Sequence, residues 1–195
     1  MNVKATPYLI YEVYRGLERP FKLFAGEESI WSLCRYIVGL LADVARKTCR
    51  GIADAVPGTS SQRLQELLTN TNWGHDSFSR ERVGYMCSRA TCKDGSIIVD
   101  DTGLPKQGKS SCGVARQYSG TLRKVGNCQV IASTQCADDK YNWPVNARLY
   151  LPEEWANNLD RRKRCHVPED VRFMTKIEIT LGLIDEAAVS LVTFG

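Results

Sequence analysis

The spacing of apolar residues changes near residue 95, and this change constrains the fold more than any other feature of the chain. Before it, apolar residues recur at every third or fourth position, which is the period of an amphipathic helix. After it, short apolar runs and strict alternation take over, and these patterns are typical of strands. The sequence therefore predicts a helical first part and a second part built on a sheet.

Four helices are predicted in the first part. The longest has a broad buried face, marked by Ile30, Leu33, Cys34, Ile37, Val38, Leu41, Val44 and Ala45. A short helix that ends at Pro57-Gly58 follows it, then a helix capped by Thr59 or Ser60, and then one over 75–90 that runs into a turn at 93–95. The two short helices fit a helix-turn-helix motif, and they also fit an ordinary hairpin packed on the long helix.

Strands are predicted beyond the turn, over 97–99, 113–119 and 128–134. In PVNARLYLP, 144–152, apolar residues alternate with polar ones, which predicts a further strand with one buried face. The charged segment 151–173 is predicted to be a surface loop, and its RRKR run is interpreted either as solvated or as a phosphate contact.

The last part of the chain is predicted to hold one more helix and one more strand. The helix is marked by Ile177, Leu181, Ile184 and Ala188, and the strand is VSLVTF. This order of elements predicts an α+β or α/β fold, with a helical domain over 1–92 and a sheet domain over 93–195. Under the helix-turn-helix interpretation, the helical domain is DNA-binding.

The net charge and the cysteine content limit which classes of function the chain can have. The net charge of +4 is too small to indicate a nucleic-acid-binding protein by itself, but the segment from Lys106 to Lys124 holds five basic residues and no acidic one. The eight cysteines include no CxxC pair, so reduced thiols are expected rather than a zinc site. The longest apolar pattern, 36–45, is too short to cross a bilayer, and no signal peptide is evident, so we expect a cytoplasmic protein.

Two adjacent aspartates, Asp100 and Asp101, end the apolar run of the first strand. Such carboxylates repel each other, so they need basic partners or a divalent metal ion. Magnesium suits hard oxygen ligands of this kind, and the basic residues nearby suit a phosphate-rich substrate. The alternative is structural: one aspartate caps the following turn and the other pairs with Lys106 or Arg116. The residues alone leave both interpretations open.

The run DDTGLPKQGKSSCGVARQYSGTLRKVGNCQV, residues 100–130, resembles the catalytic-domain signature of bacterial insertion-sequence transposases of the DDE superfamily endonuclease group. The segments LYLPEEW, FMTKIEI and RLQELL resemble further parts of the same family. The resemblance implies an RNase H-like mixed sheet in which three acidic residues hold two magnesium ions, with DNA at transposon ends as the substrate.

For the site, the resemblance implies a first acid that is followed two positions later by Ser or Thr. Asp100, which is followed by Thr102, fits this pattern better than Asp101 does. Asp100 is therefore expected to be the first metal ligand and a catalytic residue, and Asp101 is the alternative candidate for the same role. The basic residues expected to contact DNA are Lys106, Lys109, Arg116, Arg123 and Lys124.

The family pattern has its second acid after the strand expected in SLVTFG and its third in a later helix, and the sequence ends at Gly195 before either. Asp185 and Glu186 are expected to be solvated helix positions instead. The sequence therefore predicts a truncated transposase with an incomplete RNase H-like core, which holds magnesium poorly and carries out no strand transfer alone.

The alternative function is a non-catalytic DNA-binding module or regulator derived from a transposase. Under this alternative, Lys47, Arg50 and Arg63 of the helical part recognise transposon ends. A second copy of the chain or an intact transposase is a further expected partner.

Overall fold

A computed structural model describes residues 6–16, 26–71, 74–89 and 95–194. The chain forms two compact units, Met1–Arg82 and Val83–Gly195. Helices make up the first unit, and an open antiparallel sheet with helices makes up the second, which confirms the predicted α+β class. The predicted domain bounds, 1–92 and 93–195, stay a prediction. Part of the predicted turn, residues 93 and 94, lies outside the described residues.

The first unit contains the predicted helices and one more at its start, but the longest ends at Leu41, so Val44 and Ala45, which are predicted on its buried face, lie beyond it. They are α1 (Pro7–Gly16), α2 (Glu27–Leu41), α3 (Cys49–Ala55), α4 (Ser61–Thr69) and the beginning of α5 (His75–Arg89). Local chemistry sets where the short helices begin. The Thr48 hydroxyl accepts from the N–H of Gly51 at 3.1 Å, and the Ser60 hydroxyl accepts from the N–H of Arg63 at 3.2 Å. Ser60 is therefore the cap of α4.

The helical hairpin formed by α3 and α4 packs on α2. Leu64 and Leu67 of α4 are buried in one apolar cluster with Leu33 and Val38 of α2. Cys34 belongs to the same cluster, and burial raises the pKa of its thiol to about 11, as expected for a structural thiol. The structure thus confirms that the two short helices form a hairpin packed on α2. Their role in DNA recognition stays a prediction.

The second unit has four strands and three helices after α5. They are β1 (Ser96–Pro105), β2 (Ala115–Ser119), β3 (Lys124–Ala137), β4 (Asn142–Leu149), α6 (Glu153–Ala156), α7 (Leu159–Arg164) and α8 (Lys176–Phe194). All pairings in the described sheet are antiparallel, and β3 pairs with each of the other three strands. No helix in the described ranges has both the length and the apolar character needed to cross a membrane.

The two faces of the sheet differ in what covers them. Along β3, alternate residues from Cys128 to Cys136 are buried. On this side Ala132 packs against Ile179 and Leu183 of α8, so we call it the helix face and the opposite side the outer face. Alternation then assigns the residues of β1 and β3 to one face or the other, whereas the register shift at Thr134/Gln135 interrupts the alternation along β4.

The turn between β2 and β3 bends back onto β1. Ser119, at the end of β2, is buried, and its hydroxyl donates to the carbonyl of Gly103 at 3.4 Å. A Cβ added at Gly103 would lie 2.5 Å from Ser119 Oγ and 2.9 Å from Ser119 Cβ. The glycine of the DDTG run is therefore needed for a close approach of two backbones.

Two predictions for the end of the chain are wrong. The segment VSLVTF is helical, because α8 runs through it to Phe194. The predicted buried stripe of this helix is also misplaced: Ile177 is 72% exposed and Leu181 57% exposed, whereas Ile179 and Leu183 are buried. Apolar residues surround the whole helix, so their spacing does not single out one face. The segment that is expected to precede a second acid is therefore not a strand.

The segment 151–173, predicted as a loop, contains α6 and α7. The RRKR run, Arg161–Arg164, lies on α7. This helix begins after Asn158, whose side chain accepts from the N–H of Arg161 at 2.9 Å. A charged segment with few apolar residues gives little periodic signal, which explains the missed helices.

We expect Gly103→Ala to lower the free energy of unfolding by about 1–3 kcal/mol, because the new methyl group overlaps Ser119. Gly108→Ala is the matched control, since a Cβ at Gly108 meets no atom within 4 Å. Urea denaturation followed by tryptophan fluorescence measures both. Equal effects of the two substitutions would show that the approach of β2 to β1 does not constrain residue 103.

Candidate active site

The pairing of β1 with β3 places the two aspartates on opposite faces of the sheet. Asp101 lies opposite Ala132, and Asp100 lies opposite Ser133. Opposed residues in an antiparallel pair share a face, and Ala132 is buried beneath α8. Asp101 is therefore on the helix face and Asp100 on the outer face, so the two carboxylates do not form one two-ligand site.

Asp101 meets a basic partner from α8. Its Oδ2 accepts from Lys176 Nζ at 2.8 Å. The Asp101 side chain is 53% exposed and that of Lys176 is 39% exposed, so solvent reaches the pair. The ammonium group also lies 5.7 Å from the centre of the Tyr150 ring. Asp101 is thus held by a second element of the fold and remains accessible.

Asp100 has a simpler environment. It is exposed, and its Oδ1 accepts from the backbone N–H of Asp101 at 2.8 Å. Its neighbour across the ladder is Ser133, which is paired in turn with Ala147 of β4. Within the described part of the chain, no basic side chain forms an ion pair with Asp100.

The structural alternative for the aspartate pair names the wrong partners. Under that alternative, Lys106 or Arg116 neutralises one of the two carboxylates. In the structure, the ion-pair partner of Asp101 is instead Lys176. Lys176 is 75 residues further along the chain. Sequence reasoning missed it, although FMTKIEI, which contains it, is one of the segments that carry the family resemblance. Nothing in the local pattern around Asp101 points to a lysine at that separation.

A reciprocal cap fixes the first turn of α8, where Lys176 lies. The Glu178 carboxylate accepts from the N–H of Thr175 at 2.7 Å and from its hydroxyl at 2.9 Å, and the same hydroxyl accepts from the N–H of Glu178 at 3.2 Å. These bonds, first that from the Thr175 N–H, hold the pKa of Glu178 below its usual range. The carboxylate of Glu178 is thereby engaged in the helix cap.

Further along α8, a polar cluster links the helix to β4. Arg148, which lies opposite Ala132, forms an ion pair with Glu186. Asn146 donates to the carbonyl of Leu183 at 3.0 Å. Both Asp185 and Glu186 are exposed, as expected for solvated helix positions, and Glu186 has Arg148 as a partner. Glu186 is therefore a structural carboxylate on the helix face.

The predicted DNA-contacting residues fall into two groups in the structure. Arg123 and Lys124 lie at the β2–β3 turn, where Ser119, the register partner of Lys124, contacts Gly103 two residues after Asp101. The turn therefore approaches the strand that carries Asp101, on the helix face.

The other group, Lys106 and Lys109, belongs to the loop 106–114 between β1 and β2. Side chains from five positions hold the carbonyls of this loop: Asn127, Gln129, Trp155, Arg161 and Cys165. Arg116 follows the loop on the outer face, opposite Asn127. Hydrogen bonds to its carbonyl groups fix the loop, and the exposed side chain of Lys109 extends from it.

The RRKR helix has two structural and two exposed cations. Arg161 lies 3.7 Å from the centre of the Trp155 ring and pairs with Glu154 at 3.3 Å. Arg162 donates to the carbonyls of Val171 and Pro168 at 2.8 and 2.7 Å. Lys163 and Arg164 are exposed. The first two arginines therefore organise this part of the fold, and only the last two residues of the run suit a phosphate contact.

The metal expected from the resemblance can be compared with the donors present. Within the described ranges, no three His, Cys, Asp or Glu side chains come together in a group that would hold a metal ion. Magnesium, however, often binds through one or two carboxylates and keeps water or phosphate oxygens as its other ligands. The accessible Asp101 carboxylate fits as one such ligand.

The lowered pKa of Glu178 makes part of the stability depend on pH. A carboxylate whose pKa is lower in the folded state stabilises the fold above its unfolded pKa, and this contribution is lost as the pH falls through the folded pKa. We expect stability to fall below about pH 4.5, and Glu178→Gln to remove part of that fall. Denaturant titrations between about pH 6 and pH 3 measure this. Asp139→Asn, which changes an exposed aspartate in the β3–β4 turn, should keep the wild-type dependence.

Comparison with known proteins identifies the family of this chain. The model of the DDE superfamily endonuclease family matches residues 28–195. A probable transposase for insertion sequence element IS701 from Microchaete diplosiphon is 29% identical over 117 residues, which are 60% of this chain and 31% of that protein. The chain thus spans about a third of that relative. No solved structure matches. Since the family match covers most of the chain, including both aspartates and α8, the chain belongs to the DDE superfamily endonuclease family.

Proposed function

We propose that this chain supplies the first metal-binding carboxylate of a transposase that cuts and joins DNA at the ends of an insertion sequence. The observation that carries the proposal is the position of Asp101: it lies on β1, on the helix face, beside the start of α8 and near the β2–β3 turn. Family membership supports the reaction class. A divalent ion held there would activate the attacking oxygen and stabilise the leaving oxygen of a phosphodiester.

Of the two aspartates, Asp101 is the better-supported ligand. The elements that adjoin the face of Asp101 are α8 and the β2–β3 turn, so a ligand bound at Asp101 would be bordered by more than one element. Asp100 faces the other way, and the hydrogen bond that it accepts among the described residues comes from the adjacent backbone. The expectation from the resemblance, Asp100 as the first ligand with Asp101 as the alternative, is therefore reversed in this proposal. Magnesium is the proposed ion.

We also propose DNA as the partner, held partly by Arg123 and Lys124 because the turn that carries them reaches the face of Asp101. Lys106, Lys109 and Arg116 are proposed as further phosphate contacts. Bacterial DNA lies in the cytoplasm, which makes the cytoplasm the proposed compartment.

Because no group of three acidic, His or Cys side chains among the described residues could hold a metal ion, we propose DNA binding without strand transfer for this part of the protein. The family reaction implies three carboxylates. Asp101, which lies on the helix face beside Lys176, is proposed as one of them. An intact transposase is the proposed source of the others, and a second copy of the chain is a further proposed partner.

The alternative, a non-catalytic module that binds DNA through the helical unit, has less support. Two of its three expected basic residues are engaged within that unit. Arg63 pairs with Glu28 at 2.7 Å, and Lys47 Nζ donates to the carbonyls of Leu40 and Ala42 that end α2.

Site-resolved cation binding tests the choice of ligand. In a titration of the ¹⁵N-labelled chain with MnCl₂, we expect paramagnetic broadening centred on residues 99–103 in the wild type. Asp101→Asn should abolish this broadening, whereas Asp100→Asn should leave most of it. Reading individual amides separates this site from adventitious binding at other acidic pairs. If broadening persists around β1 in Asp101→Asn, Asp101 is not the ligand and the proposal is wrong.

The proposed binding of DNA by the β2–β3 turn can be tested by salt dependence. For duplex DNA, each phosphate that a protein neutralises adds about 0.9 to the slope of log K against log salt. The double variant Arg123→Gln/Lys124→Gln should therefore reduce the slope by about two and weaken binding at low salt. Lys140→Gln/Arg172→Gln removes the same charge at two exposed positions outside the proposed surface.

Fluorescence anisotropy with labelled insertion-sequence ends measures both double variants. Equal changes would mean that net charge, rather than the β2–β3 turn, accounts for binding.

A further inference from the structure

Lys176 meets the proposed metal-binding carboxylate from the first residue of α8. Its Nζ is 2.8 Å from Asp101 Oδ2, and it is the cation that pairs with Asp101 in the described part of the chain. An ammonium group at this oxygen lies where a metal ion would have to bind. The two cations cannot share the position, because like charges at such a distance repel each other.

The place of Lys176 is set by the fold rather than by the ion pair. Its helix is anchored on the sheet by Ile179 and Leu183, which are buried against Ala132. The first turn of that helix is closed by the reciprocal bonds between Thr175 and Glu178. The lysine backbone therefore stays beside Asp101 whether or not the ion pair is formed.

We infer that Lys176 competes with metal ions for Asp101: its ammonium group occupies Oδ2 while no metal ion is bound, and a divalent cation must displace it. This inference rests on the proposed function, in which Asp101 is the ligand. The pair is partly exposed, and exposed ion pairs contribute little free energy, so the displacement is easy. Lys176 thus lowers the affinity of Asp101 for cations by a modest factor and does not block the site.

The test is the apparent Mn²⁺ affinity at residues 99–103, obtained from the broadening of their amide signals in the full chain. Lys176→Gln should bind Mn²⁺ about threefold to tenfold more tightly than the wild type, because the competing charge is gone. Lys176→Arg keeps the charge and should bind as the wild type does. Lys163→Gln removes an equal charge from the exposed face of α7 and should also leave the affinity unchanged.

A second measurement needs no variant. When Mg²⁺ is added to the wild type, the ε-methylene signals of Lys176 should move towards those of an exposed lysine, while those of Lys163 stay in place. This shift reports displacement directly, so it decides the question if Lys176→Gln fails to fold, which a thermal melt would reveal.

The outcomes separate this inference from the proposal on which it rests. If Asp101→Asn abolishes Mn²⁺ binding and Lys176→Gln leaves it unchanged or weaker, Lys176 does not compete with the ion and the inference alone is wrong. If Lys176→Gln folds and Lys163→Gln tightens binding by the same factor, the effect is one of net charge and the inference is likewise overturned. Binding that survives Asp101→Asn overturns both.

Discussion

The ten-residue ladder between β1 and β3 determines what the acidic pair can do. It runs from Ser96 opposite Ala137 to Pro105 opposite Cys128 without a register shift. Because side chains alternate, a slip of one residue would exchange the faces of Asp100 and Asp101. The register is held at two places: beneath α8, where alternate residues of β3 are buried, and at Gly103, where only a residue without a side chain allows Ser119 to approach. The positions of the carboxylates follow from these packing constraints.

Helix α8 connects the core of the second unit with the candidate site. Its apolar contacts with the sheet position the helix, and its polar residues act at the edge of that contact: Lys176 on Asp101 and Glu186 on Arg148. Exposed ion pairs of this kind each contribute at most about 1 kcal/mol, so they cannot be what holds the helix on the sheet. Burial of Ile179 and Leu183 does that, and the charged contacts then tune the site.

Local patterns predicted well those features that depend on local interactions. The cap at Ser60 and the helix that contains Ile177 follow from side chains within a few residues, and both are present. The strand predicted in PVNARLYLP is present up to Leu149, but its predicted buried face is broken at the exposed Ala147, next to the register shift at Thr134/Gln135. The prediction of a strand in VSLVTF was wrong because β-branched residues continue a long apolar helix, and only contacts with the sheet decide between the two states. The face assignment of the aspartates and the role of Lys176 depend on partners more than thirty residues away, which no local pattern contains.

The positions of the basic residues in the sequence also do not show which of them lie near the acidic pair in the fold. The basic segment that follows Asp101 divides at the bend of the β2–β3 hairpin: Arg123 and Lys124 return to the helix face, while Lys109 stays on a loop held by β3, α6 and α7. A phosphate approaching Asp101 is repelled by the carboxylate, and nearby cations must offset that repulsion. Arg148, on the same face, is already paired with Glu186, and among the described residues Lys176 and the hairpin turn are the cations that the fold brings beside Asp101 or its strand. Under the proposed function they act at the reacting phosphate, and the loop lysines contact DNA further along the duplex.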